Sequence, residues 1–136
     1  MFEILEHTAD IGFRVEAKTA AGLFEAAAEA LASLAIENTG IEGREAWTLE
    51  AAGADDESLL VNWLNEVLWL LDGKRLALVR FEVARAGEGR AIGTAWGEPF
   101  DPARHRVRLT IKGVTYHQLE VRREEEGWHA QVFLDI

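Results

Sequence analysis

Hydrophobic and polar positions along the chain change period from segment to segment, and each change marks an element. Ile11, Phe13 and Val15 alternate with polar or small residues, which predicts a half-buried strand ending near Ala17. Ile4 and Leu5 fit a short strand before it, with His7, Thr8, Ala9 and Asp10 as the bend between. Thr19 then offers an N-cap, and Leu23, Phe24, Ala27, Leu31 and Leu34 recur at helical spacing. They predict an amphipathic helix to about Ile36, with one face packed and one wet. Beyond a Gly-containing loop from Asn38 to Gly43, Trp47, Leu49 and Ala51 alternate as a further strand. Asp55 or Asp56 caps a second helix that carries Leu59, Leu60, Trp63, Leu64, Val67, Leu68 and Leu71, and Asp72-Gly73 stops it. A helix this apolar must be largely covered, so it is expected to lie against a sheet.

The remainder reads as strands: Leu76 to Ala84, Arg90 to Glu98, Val107 to Lys112, Tyr116 to Arg123 and Trp128 to Asp135. Turns at Gly87-Glu88-Gly89, Glu98-Pro99 and Glu126-Gly127 separate several of these runs. Short turns between strands favour antiparallel pairing. The expectation is an α+β fold: two amphipathic helices packed on a mostly antiparallel sheet of about six or seven strands. The length prior for 136 residues is a single domain, 1–136, and no internal repeat or linker interrupts it.

Composition narrows the function classes. The chain has no cysteine, which removes disulfide scaffolds, thiolate zinc sites and thiol catalysis. Its net charge is −10, so extensive binding to nucleic acid phosphates is disfavoured, while cations or a basic protein surface are favoured. No apolar run approaches a membrane span and the start MFEILEHTAD has no basic leader, so a cytoplasmic protein is expected. Arg outnumbers Lys by 11 to 3, a bias that a thermophile and a GC-rich genome share. The tryptophans Trp47, Trp63, Trp69, Trp96 and Trp128 are spread over helices and strands and read as core or core-edge residues, not as a base-stacking platform.

Candidate chemistry collects at the two ends. Neither a GxxxxGK[ST] loop nor a GxGxxG turn is present, and both serines, Ser33 and Ser58, fall in predicted helices. The alternating run from Trp128 leads straight to Asp135 and Ile136, so a strand is expected to fix the Asp135 side chain beside the terminal carboxylate. Two like charges held together call for a cation, a basic partner or good solvation. With one more acid they form an oxygen-rich site suited to Ca²⁺, Mg²⁺ or Mn²⁺. The competing reading is a terminus that protrudes into water. Asp10 in its bend is a metal ligand, a holder of a catalytic proton or an Asx-type turn cap. His7 is a ligand or a hydrogen-bonded structural residue. The stretch Lys112-Gly113-Val114-Thr115-Tyr116-His117 brings a cation, a hydroxyl, a phenol and an imidazole together between two strands. It reads either as a functional loop or as a turn at Gly113.

Taken together these segments resemble the archease family. The resemblance rests on four blocks in order: His7 to Phe13, Leu59 to Glu66, Ile111 to Leu119, and the terminal Asp135-Ile136. It covers essentially the whole chain; Gly113 departs from the alanine usual in the family. The resemblance implies a small cytoplasmic accessory protein that activates an RtcB-type RNA ligase in tRNA splicing and RNA repair. In that family the partner ligase attaches guanylate to its own histidine using GTP and divalent metal, and archease speeds this step and enables multiple turnover. The family's acidic metal site carries over to Asp10, Asp135 and the Ile136 terminus, with Ca²⁺ as the expected ion. Lys112 matches the family's functional lysine, with His7 and His117 as weaker neighbours. No turnover of its own, no membrane and no extensive direct nucleic-acid contact are expected. Two other classes stay open: a chaperone or modulator of a tRNA methyltransferase, and a stand-alone metal-dependent phosphohydrolase.

Overall fold

A computed structural model of the chain describes residues 2–6 and 10–136. Seven strands and two α-helices are formed among these residues: β1 Phe2–Glu6, β2 Asp10–Ala17, α1 Ala20–Ala35, β3 Glu45–Ala52, α2 Asp56–Leu68, β4 Leu76–Gly87, β5 Arg90–Pro99, β6 Gly113–Glu124 and β7 Gly127–Asp135. The α+β class and strand number match the sequence expectation, but the strands divide into two antiparallel sheets. One has the order β1-β2-β7-β6 and the other β3-β5-β4. The sheet that receives the chain's end is thus built from both termini, because β7 pairs with β2 on one side and β6 on the other.

The helices lie between the sheets. Helix α1 touches β2 and β7 of one sheet and β4 of the other, while α2 touches β3 and β6. Local chemistry sets where each begins. Thr19 caps α1 by accepting a hydrogen bond from the Gly22 amide at 3.0 Å. Asp55 caps α2 in a reciprocal box with Ser58, whose amide donates to Asp55 Oδ1 at 2.7 Å. Those hydrogen bonds from Ser58 hold the Asp55 carboxyl below its usual range.

The wet face expected for α1 is nearly absent. Within the helix only Glu29 is exposed, because a second sheet covers what a single sheet would leave open. Its alanines, among them Ala27, Ala28, Ala30 and Ala32, allow that double coverage without forcing the layers apart. Trp63 of α2 is completely buried and its indole N–H donates to the Phe24 carbonyl of α1 at 3.0 Å. Gly93 of β5 makes room for this ring: a Cβ there would lie 2.9 Å from Trp63 Cη2 and 2.6 Å from the Glu82 carbonyl oxygen. A single hydrophobic cluster runs from Phe13 and Val132 of one sheet through Leu31 and Leu64 to Phe81 and Ala95 of the other.

Two further expectations are corrected. Helix α2 does not run regularly to Leu71; it widens into a π-helical turn over Trp69–Gly73. Trp69, expected at the core or its edge, is 54% exposed, in line with the polar row of Asn62 and Glu66 that precedes it on the helix. Nor is Val107 to Lys112 a strand. It is an extended segment with one isolated bridge, Val107 to Ile36, and Arg108 donates its amide to the Ala35 carbonyl at 2.9 Å. Its alternating apolar residues cover the end of α1 and do not join a sheet ladder.

Candidate functional site

The site is set by strand register. Asp10, the first residue of β2, stands directly opposite Asp135, the last residue of β7, and Asp135 is in turn opposite Gly113 at the start of β6. Directly opposed residues of an antiparallel pair carry their Cβ atoms about 4.5–5.5 Å apart on the same face. Their face is the one turned away from the helices. Ile11, Phe13 and Val15 of β2 and Val132 and Leu134 of β7 belong to the buried cluster, so the alternate residues Asp10, Gly12, Phe133 and Asp135 occupy the opposite side.

Lys112 joins this row through the backbone. Its amide donates to the Asp135 carbonyl at 2.7 Å, and its side chain is exposed. The stretch read as a loop between two strands is therefore the start of a strand, with Gly113 paired rather than turning. Ile136 follows Asp135 immediately and is 39% exposed. Asp10, Asp135, Ile136 and Lys112 accordingly meet at one end of the four-stranded sheet. Among the described residues none of Asp10, Asp135 and Lys112 takes part in an ion pair. Nor do three or more acid or imidazole side chains converge as a metal site among the described residues. Two carboxylates and a neighbouring ammonium are what the side chains supply.

His117 lies close by, on a bulge. The pairing of β6 with β7 runs through Thr115 opposite Phe133 and resumes at Glu120 opposite Gln131, so Tyr116 to Leu119 arch out against a single residue of β7. Gln118 takes a positive φ of 54° at the top of the arch, and its carbonyl accepts from the Gln131 amide nitrogen at 2.9 Å. The His117 ring sits 6.5 Å from the Phe133 ring, and its main-chain N–H donates to Thr115 Oγ1 at 2.8 Å. His117 thus belongs to the same sheet face as the acid pair, one step along β7. His7 lies outside the described residues.

Gly12 secures this arrangement. A Cβ on it would come within 2.7 Å of both Phe133 Cδ1 and the Val132 carbonyl oxygen. The bare glycine lets the Phe133 ring lie across β2 beside the acid pair. Phe133 is only 1% exposed although it is on the face away from the helices.

Sequence reasoning missed a second polar centre, at the far end of β5. Glu98 and His105 are each 5% exposed. Glu98 accepts from both terminal nitrogens of Arg104, at 3.0 and 2.9 Å, and from the Glu42 amide at 2.8 Å. His105 Nδ1 accepts from the Asp101 amide at 2.9 Å, so its proton is on Nε2, which donates to Glu98 at 2.9 Å. The Arg104 hydrogen bonds, with those from Glu42 and His105, hold the Glu98 carboxyl at about 2. Both oxygens of Glu98 are thereby engaged, Oε2 three times, and the network ties the loop after α1 to the loop after β5. The Glu98-Pro99 pair gave only a turn signal, and nothing in linear order links it to Arg104 and His105.

A helix pair held between two antiparallel sheets, with opposed carboxylates and a lysine where the termini meet, defines a compact α+β protein class with an acidic sheet end. Residues 2–136 match the model of the Archease protein family (MTH1598/TM1083), and the chain belongs to that family. It is 38% identical over 139 residues to the protein archease of Methanosarcina acetivorans, covering 99% of this chain and 95% of that one. Its fold is similar to the solution structure of protein 1598 of Methanobacterium thermoautotrophicum, with a TM-score of 0.83, 30% identity, and coverage of 99% and 98%. It also superimposes on the crystal structure of an archease, possible chaperone, from Thermotoga maritima, with a TM-score of 0.63 and 21% identity over 97% and 94% of the two chains. Among the described residues no helix is long and apolar enough to cross a membrane.

Proposed function

We propose that this protein activates an RtcB-type RNA ligase of tRNA splicing and RNA repair, promoting the ligase's GTP- and metal-dependent guanylylation and its multiple turnover. The observation that carries the reading is the register that sets Asp10 against Asp135 and brings Lys112 to the same sheet end. Family membership agrees with an accessory role, and the possible-chaperone description of the Thermotoga protein agrees with action on a partner.

Asp10, Asp135 and the carboxylate of Ile136 would hold a hard divalent ion, Ca²⁺ first and Mg²⁺ or Mn²⁺ as alternatives. The donor set fits because it is made only of oxygens. Two side-chain carboxylates fall short of the six to eight oxygens a calcium ion takes, so the terminal carboxylate, water and the partner would complete the shell. Such an ion would neutralise phosphate charge at the ligase's nucleotide site. Lys112 would pair with a phosphate or a carboxylate of the partner, and the protein would contribute part of a site without turnover of its own. Its place is the cytoplasm, with the ligase.

The test is ligase guanylylation with labelled GTP, in the presence of the wild type and of Asp10→Ala, Lys112→Ala and Asp135→Ala. Each variant is expected to fold and to lose stimulation by roughly tenfold or more, the scale of losing a close charged contact. Full stimulation by all three would overturn the reading. GTP hydrolysis without ligase would favour the phosphohydrolase instead, and unimpaired stimulation by Asp10→Ala alone would point to a chaperone acting through apolar surface.

A further inference from the structure

A second surface of the molecule has a chemistry unlike the rest of it. Between the π-helical turn and the extended segment 107–112 runs a cleft floored by Ile36, Leu68, Leu71, Leu109 and Ile111. Trp69 and Lys112 line an adjoining hollow that shares Leu68, Asp72, Thr110 and Ile111 with it, and Val107 lines the cleft itself; Trp69 and Val107 are 54% and 53% exposed. Isolated exposed apolar residues are ordinary, but two large ones on the walls of two adjoining, mainly apolar hollows make a contact surface.

The rim has the opposite charge sign to the whole. Arg75 and Lys112 are exposed on the lining, and Lys74 and Arg108 are exposed next to lining residues, on a chain whose net charge is −10. Arg75 lines the cleft and Lys112 the adjoining hollow, Lys74 Nζ lies 5.4 Å from the Trp69 ring centroid, and Arg108, between the lining residues Val107 and Leu109, donates from Nη1 to the Ser33 carbonyl at 3.5 Å. Asp72 is the acid that lines the cleft.

We propose that this cleft docks an acidic peptide segment of a partner protein, anchored by leucine- or isoleucine-type side chains. Aliphatic side chains match the floor, and carboxylates match the four cations at the rim. A nucleic acid strand fits less well. Bases stack on exposed aromatic platforms, whereas this lining is mainly aliphatic, with Phe100 half-buried and Trp69 as its exposed ring. The cleft abuts the acid pair through Lys112, so a segment seated here would hold a partner across the sheet end. The proposal does not depend on which ion or ligase that end serves.

The test is selection from a random phage-displayed peptide library on the full chain, with counter-selection on the Arg75→Glu/Arg108→Glu double variant. Recovered peptides are synthesised and titrated against the isotope-labelled protein. Expected are sequences rich in Asp and Glu with Leu or Ile anchors, shifts centred on the Trp69 indole and residues 107–111, and binding weakened roughly tenfold by the double variant. Trp69→Ala, an exposed replacement, is expected to weaken binding similarly and supplies an independent readout if the double variant does not fold. No enrichment, neutral or basic peptides, shifts mapping elsewhere, or an oligouridylate that binds more tightly with the same footprint would each overturn the proposal.

Discussion

Asp10 and Asp135 stand directly opposite one another at the ends of β2 and β7, 125 positions apart in sequence and side by side on one sheet face. Opposed like charges disfavour pairing, by roughly 0.2–1 kcal/mol for an exposed antiparallel pair. Neutralising one member is therefore expected to stabilise the protein in chelator while removing one of the oxygens proposed to hold calcium. Asp10→Asn should unfold at slightly higher temperature than the wild type in chelator. Millimolar Ca²⁺ should raise the wild-type transition and leave that of the variant unmoved, since only an ion that prefers the folded state shifts it. Equal calcium shifts in both proteins would remove Asp10 from the ligand set.

The terminal carboxylate can be tested apart from every side chain. Appending Gly-Ser-Gly after Ile136 moves the charge away from Asp135 without altering the register of β7. Weaker calcium binding by calorimetry, with an unchanged melt in chelator, is the expected result. Undiminished affinity would show that the ion, if bound, uses other oxygens.

Gly12 predicts a different failure. Replacing it with alanine places a Cβ 2.7 Å from the Phe133 ring and from the Val132 carbonyl oxygen. Backbone cannot yield as a flexible side chain would, so a loss of about 1–3 kcal/mol is expected from overpacking. The accompanying shift of Phe133 should carry β7 with it and disturb Asp135 two residues on. Denaturant melts measure the first effect, and amide shifts of Asp135 and Ile136 measure the second. Small shifts confined to β2 would show that the site does not depend on this packing.

What could be read in linear order was whatever depends on local period. Alternation at Ile11, Phe13 and Val15 and the Thr19 cap located β2 and α1 because strand pleat and helix start are set by neighbours. The π-helical turn was hidden, since Leu68 and Leu71 satisfy an α-helical period that the chain abandons at Trp69. Val107 to Lys112 misled for the opposite reason: its apolar residues alternate to cover α1, a packing role that mimics a strand. Asp10 and Asp135 were each visible as candidates, but only the β2–β7 register could set them face to face. The Glu98 network left no signal because its members are useful to one another only after folding.

The core offers a check on the two-sheet arrangement. Trp63 fills the space between α1 and β5, so Trp63→Ala should cost about 3–5 kcal/mol, the range for deleting a buried aromatic. Gly93→Ala should also destabilise, because its Cβ would meet the Trp63 ring and the Glu82 carbonyl oxygen. The two residues touch, so their effects should not add: without the indole, one of the two clashes at Gly93 disappears. A double-mutant cycle by urea denaturation measures this, and strict additivity would mean that the ring does not lie over Gly93.

Glu98 predicts how the fold responds to acid. Its carboxyl is held at about 2 in the folded protein by Arg104, the Glu42 amide and His105, below the value of about 4.3 expected for an unfolded glutamate. A folded value lower than the unfolded one means that the ionised form stabilises the native state. That contribution is complete above about pH 4.5 and is lost as pH falls toward 2. Glu29, though exposed, acts in the opposite sense: partial loss of water around its carboxyl, then the neighbouring Glu25, raises it, so protonation there favours the folded state as pH falls. Glu98→Gln should be less stable than the wild type at neutral pH, where it forfeits the charged hydrogen bonds to Arg104. Its stability should decline less steeply than that of the wild type between pH 4.5 and 2, because one of the titrating groups has been removed. Urea melts across that interval decide the matter, and parallel slopes for the two proteins would mean that the Glu98 network does not govern acid unfolding.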